Sequence, residues 1–113
     1  MIQLVVAVVK PFRVADVLAG LRDAGIVGCT VNEVRGFGRQ GGHSETYRGT
    51  EYVIELVPKV QLEILVPDER VDAVLAVVMR EAFTGKIGDG KCWVQPVDSV
   101  ARIRTGESGG EAL

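Results

Sequence analysis

The residues of this chain best suited to chemistry are glycines and cations. Gly36-Phe37-Gly38-Arg39-Gln40-Gly41 fits G-x-G-x-x-G, the spacing that in dinucleotide-binding folds closes a tight turn and rests a pyrophosphate on a helix N-terminus. The residues that follow, "HSETYRGTEY", have no apolar periodicity, so no helix is expected there and that use of the motif is excluded. Gly85 to Lys91, "GKIGDGK", fits the first seven places of a Walker A loop. Cys92, however, stands where the magnesium-binding Ser or Thr belongs, and a strand is expected next instead of a helix. The physics survives both failures. Closely spaced glycines let backbone N–H groups converge on an anion, and Lys91 adds a full positive charge. In "ARIRT", Arg102 and Arg104 lie two residues apart on an expected strand, which aims both guanidiniums at one face and Ile103 at the other. Two glycine nests with a pair of forked cations describe a polyphosphate site.

Other chemistries find less support. No nucleophile–base pair is written in the chain, and its two cysteines, Cys29 and Cys92, lie far apart with no metal-ligand spacing. They read as small buried thiols, and with a single histidine, His43, no zinc-type site is expected. A formal net charge of -2 leaves no basic stripe for a phosphate backbone, which argues against nucleic acid as a partner. The apolar start "MIQLVVAVV" lacks a basic n-region and a cleavage site, and Lys10-Pro11 stops it far short of a membrane span. A cytoplasmic protein is expected.

The elements that must position these residues follow from periodicity. With 113 residues the chain has room for one core, so residues 1–113 are read as a single domain. Ile2 to Val9 is a β-branched run suited to a central strand. Val14, Val17, Leu18 and Leu21 share one helical face, with Gly25 as a stop. A second strand is expected from about Thr30 to Phe37. Beyond the polar segment, "YVIELV" and "VQLEILV" read as strands broken at Pro58-Lys59. The pattern of Val71, Val74, Leu75, Val78 and Met79 predicts a second helix, and "KCWVQPV" and "SVARIR" the last strand segments.

"VKPFRVADVL" from Val9 and "VPDERVDAVL" from Val66 match at one constant offset, the mark of an internal repeat. A strand–helix–strand unit used twice gives βαββαβ, an α+β ferredoxin-like fold whose antiparallel sheet carries both helices on one face. The other face is left uncovered. Strands as apolar as Val60, Leu62, Ile64 and Val66 therefore predict self-association. The polar stretch "GFGRQGGHSETYRGTEY", Gly36 to Tyr52, far exceeds the usual connection of about 4 to 6 residues and calls for a function.

Taken together, "VKPF", "GFGRQGGHSETYRGTEY", "TGKIGDGK" and "RIRTGE" resemble the PII nitrogen-regulatory signalling proteins, in the expected order from about residue 2 to Glu107. The tail, 107–113, carries no motif. The resemblance implies a homotrimer that binds ATP or ADP in clefts between neighbouring subunits and senses 2-oxoglutarate together with magnesium-ATP. It makes the segment from about 38 to 55 the T-loop, the arm that docks on ammonium channels, a nucleotidylyltransferase or other nitrogen-metabolism targets; membrane contact would come only through a transporter partner.

Carried over by motif, Gly38, Arg39 and Gln40 would line the phosphate end, with Gln40 offering an amide oxygen to magnesium, a hard cation. Thr30 and Leu65 would border the nucleoside. Gly88, Asp89, Gly90 and Lys91 would wrap the phosphates, and Arg102 and Arg104 would reach the same cleft, some of these from the neighbouring subunit. Lys59 would pair with the distal carboxylate of 2-oxoglutarate, and the N–H groups around Gln40, Gly41 and Gly42 would help hold the acid. Gly41 stands where many relatives carry lysine, which removes a charge and adds backbone freedom. Tyr52 occupies the position nucleotidylated in many relatives, and Thr50 falls where some carry a phosphorylated serine. Two other function classes compete with a non-enzymatic regulator: a slow ATP-hydrolysing enzyme with Glu63 or Asp89 orienting water, and a bare ferredoxin-like trimer for metal handling, which the lack of a His/Cys cluster disfavours.

Overall fold

The computed structural model of the chain describes residues 1–38 and 55–113. The elements run β1 (Ile2–Val9), α1 (Val14–Asp23), β2 (Thr30–Gly36), β3 (Val57–Pro67), α2 (Val71–Glu81) and β4 (Gly90–Val97). All strand pairs are antiparallel, in the order β2-β3-β1-β4. This is the ferredoxin-like βαββαβ arrangement, with β1 central as its β-branched run predicts. No helix among the described residues is long and apolar enough to cross a membrane.

Register decides which residues meet the helices. Val5 lies opposite Ile64, Ala7 opposite Leu62 and Val9 opposite Val60. These side chains form one buried cluster with Val17 and Leu21 of α1 and Val74, Val77 and Val78 of α2. Each such valine or leucine contributes about 1.5–3 kcal/mol by leaving water. Val60, Leu62, Ile64 and Val66 thus face the helices, which corrects the expectation that they would furnish the uncovered face. The alternate set lies there, because strand side chains reverse with a period of two: Leu4, Val6 and Val8 of β1, Lys59, Gln61, Glu63 and Leu65 of β3, and Lys91, Trp93 and Gln95 of β4.

Three other expectations are corrected. Strand β3 runs unbroken through Pro58 and Lys59. The β1 ladder ends at Val9 and Val60, so at Pro58 the strand has β2 alone beside it, an edge position of the kind that admits proline. Met79 is 65% exposed, while Val77 turns inward, because the buried stripe follows 74, 77 and 78. "SVARIR" is not a strand: it contributes one bridge, Ala101 with Ser108, and a turn over 103–105.

The sequence repeat appears as matched joints. A 3-10 turn leads into each helix, Pro11–Arg13 before α1 and Asp68–Arg70 before α2. Arg13 Nε donates to the carbonyl of Glu81 at 2.7 Å, at the end of α2. Arg70 Nη2 donates to the carbonyl of Ala24, at the end of α1. Each helix therefore has one carbonyl at its C-terminal end, the negative end of its dipole, capped by the arginine that precedes the other. The helices touch at Gly20, where an added Cβ would lie 2.8 Å from Val77 Cγ1.

Candidate functional site

The segment between α2 and β4 is organised by one carboxylate. Asp89 Oδ2 accepts the N–H groups of Thr84 (2.8 Å) and Gly85 (2.9 Å), and Oδ1 accepts the Thr84 hydroxyl. Lys10 Nζ lies 3.2 Å from Oδ1 and also donates to Thr84 Oγ1 at 3.2 Å. Hydrogen bonds from Thr84, above all, hold the Asp89 carboxyl well below the usual carboxylate range, with smaller help from Gly85 and Lys10. A group depressed in this way stabilises the fold fully above its unfolded pKa, near 3.9, and that contribution is lost progressively as pH falls below this value and through the lower pKa of the folded state. Asp89→Asn is therefore expected to lower the melting temperature more at pH 7 than at pH 2. Parallel melts of the two proteins at both values check this; an equal deficit at both would mean the charge is irrelevant.

With Asp89 engaged, the loop leaves Gly88 and Gly90 at positive φ, 94° and 97°. Lys59 Nζ donates to the carbonyl of Gly88 and ties the loop to β3. Burial, and secondly the charge of Lys10, lower the pKa of this ammonium below that of an ordinary lysine. Lys91 lies beside Val8 on the uncovered face. It is exposed, and it makes no ion pair among the described residues. Gly38, Lys59, Gly88, Gly90, Lys91 and Trp93 line an open cleft of about 660 Å³. Its cations and positive-φ glycines suit an ionised phosphate.

A second cleft, of about 650 Å³, lies at the other end of the same sheet face. Thr30, Glu63, Leu65 and Arg102 line it, with the loop from Gly25 to Cys29. Thr30 pairs with Glu63, so both belong to the face that carries Lys59. Leu65 lies six positions along β3 from Lys59, roughly 20 Å of extended strand. The expected site residues thus fall into two groups, a phosphate end and an end bordered by Thr30 and Leu65.

Arg102 is only partly free. Its Nη1 donates to Glu107 Oε1 at 3.2 Å and its Nη2 to the carbonyl of Leu113 at 2.6 Å. Arg104 is exposed in the 103–105 turn and lines neither cleft, which corrects the strand geometry that placed both guanidiniums on one face. Arg39, Gln40, Gly41, Gly42, His43, Thr50 and Tyr52 lie outside the described residues. Both cysteines are free and partly buried, as expected of small thiols; burial raises the pKa of each. Among the described residues no three of His, Cys, Asp and Glu gather as for a metal ion.

Sequence reasoning missed Lys10 and Thr84 as organisers of the loop and Trp93 as a wall of the cleft. Lys10 and Thr84 do lie inside the conspicuous stretches "VKPF" and "TGKIGDGK". The Lys10–Asp89 contact joins residues distant in sequence, and only the sheet brings them together.

Residues 2–107 match a family profile described as Nitrogen regulatory protein P-II. The P-II protein of Pasteurella multocida (strain Pm70) is 55% identical over 107 residues, 95% of this chain and 96% of that one. The P-II protein of Azospirillum brasilense is 50% identical over the same shares. A crystal structure of Arabidopsis thaliana PII bound to citrate superposes with a TM-score of 0.80 at 39% identity, covering 98% of this chain and 88% of that one.

Proposed function

This chain belongs to the P-II nitrogen regulatory protein family, and we propose that it works as a homotrimer that reads ATP against ADP and, with magnesium-ATP, 2-oxoglutarate. It passes the reading to nitrogen-metabolism targets through residues 38–55. The observation that carries the proposal is the loop of Gly88 to Lys91, ordered by Asp89 at one end of the sheet face whose other end, with Thr30 and Leu65, borders the cleft that Arg102 lines. Two half-sites about 20 Å apart suit clefts completed by a neighbouring subunit, and the uncovered face bearing Leu4, Val6, Val8 and Trp93 supplies a surface for assembly.

In this scheme the backbone N–H groups of Gly88 and Gly90 and the ammonium of Lys91 hold phosphate oxygens, while Thr30 and Leu65 border the nucleoside. Lys59 takes a carboxylate of the acid. Gln40 would ligate magnesium, which neutralises phosphate charge when bound. The ordering of the loop also bears on the enzymatic alternative: every described contact of Asp89 is with its own loop or Lys10, which leaves Glu63 as the remaining candidate to orient water.

Light scattering is expected to return a trimer mass at micromolar concentration. Calorimetry is expected to show ATP and ADP binding alone, and 2-oxoglutarate binding only when magnesium-ATP is present. A monomer mass, or tight 2-oxoglutarate binding without nucleotide, would refute the scheme.

A further inference from the structure

Residues 108–113 carry no motif, yet the chain folds them back onto the cleft that holds Thr30, Leu65 and Arg102. A bridge pairs Ala101 with Ser108. The N–H of Arg102 donates to the carbonyl of Glu107 at 2.8 Å, and that of Gly109 to the carbonyl of Val100 at 3.0 Å. A 3-10 turn, Gly109–Ala112, then carries Ala112 and Leu113 into the cleft, where both are partly buried. Arg102 is where the two uses of the cleft collide. A guanidinium binds an oxyanion with a fixed fork of donors, and here Nη1 and Nη2 are both engaged, on Glu107 Oε1 and the Leu113 carbonyl.

We propose that residues 108–113 are an internal ligand of this cleft, and that nucleotide and tail occupy Arg102 in turn. The proposal rests on the nucleotide-binding reading. The tail is held loosely enough to be displaced. The Arg102–Glu107 pair is about two-fifths exposed on both sides, a setting in which ion pairs are weak and screened. The other contact is a single hydrogen bond to the main-chain oxygen of Leu113, whereas a polyphosphate offers the guanidinium fork several ionised oxygens and a bidentate fit. Apparent nucleotide affinity is then reduced in proportion to the fraction of molecules whose tail is seated, so any partner that lifts the tail would raise it.

The test is ATP calorimetry on three forms: the full chain, the chain ending at Glu107, and Gly109→Val. Gly109 sits at φ 64° with open space around its Cβ position, so valine there strains the turn of the tail without touching the cleft. Both variants are expected to bind ATP about threefold or more tightly than the full chain. In the full chain, hydrogen exchange at the Gly109 amide is expected to quicken when ATP is added. Equal affinities in the three forms, weaker binding by the shortened chain, or an unchanged Gly109 amide with ATP bound would each overturn the internal-ligand proposal and leave the nucleotide reading standing. No ATP binding by any form would overturn that reading, and this proposal with it.

Discussion

Gly90→Ala is expected to destabilise the protein by about 4 kcal/mol or more, among the largest effects a single methyl group can have. Gly90 opens β4 beside β1, opposite Val9, and an added Cβ would lie 1.8 Å from the carbonyl oxygen of Val8. Backbone cannot rotate aside as a side chain can, so β1 or the start of β4 must shift and give up ladder hydrogen bonds. The φ of 97° adds its own strain for any L side chain. At roughly 5 °C per kcal/mol for a domain of this size, the melting temperature should fall by on the order of 20 °C. A variant melting within about 3 °C of the parent would show that the loop and β1 are less tightly apposed than the structure has them.

Lys91→Ala is expected to weaken ATP binding at least tenfold while leaving fold and assembly intact. Charge-assisted hydrogen bonds to phosphate are worth about 1.5 to 3 kcal/mol, and about 1.4 kcal/mol is a factor of ten in affinity. Lys91 has no structural duty that its loss would expose: it is exposed, it projects from the uncovered face, and it makes no ion pair among the described residues. In the proposed scheme its stem and charge therefore serve ligand binding far more than stability. Calorimetry with ATP, beside a thermal melt of the same sample, separates the two. An unchanged dissociation constant would make Lys91 an ordinary surface charge and move the phosphate site elsewhere.

The helices, the central strand and the βαββαβ order were legible because each is written in local periodicity: Val17 and Leu21, or Val74 and Val78, lie inward for reasons their own segments contain. Which strand face meets the helices was not legible in Val60 to Val66, since alternation fixes two faces and leaves open which is covered. The answer lies in the pairing of Val9 with Val60, a contact between distant segments. The same limit applied to the site. Gly88, Gly90 and Lys91 stand out by composition, and they do gather at one cleft. The grip of Lys10 on Asp89, the seat of Lys59 on Gly88 and the return of Leu113 to Arg102 depend on tertiary neighbours. Arg104 shows the cost of extending a local rule: two-residue spacing places side chains on one face only where a strand exists, and at 103–105 the chain turns.

Under the proposed scheme, the separation of Lys91, on β4, from Arg102, which lines the other cleft, has a genetic consequence. A ring whose sites are each shared by two neighbours does not inherit a defect subunit by subunit. A copy damaged at Lys91 and a copy damaged at Arg102 each keep the half that the other lacks, and where those halves meet in a mixed ring the site is whole. Two such alleles in one cell would complement each other, while two alleles damaged in the same half would not.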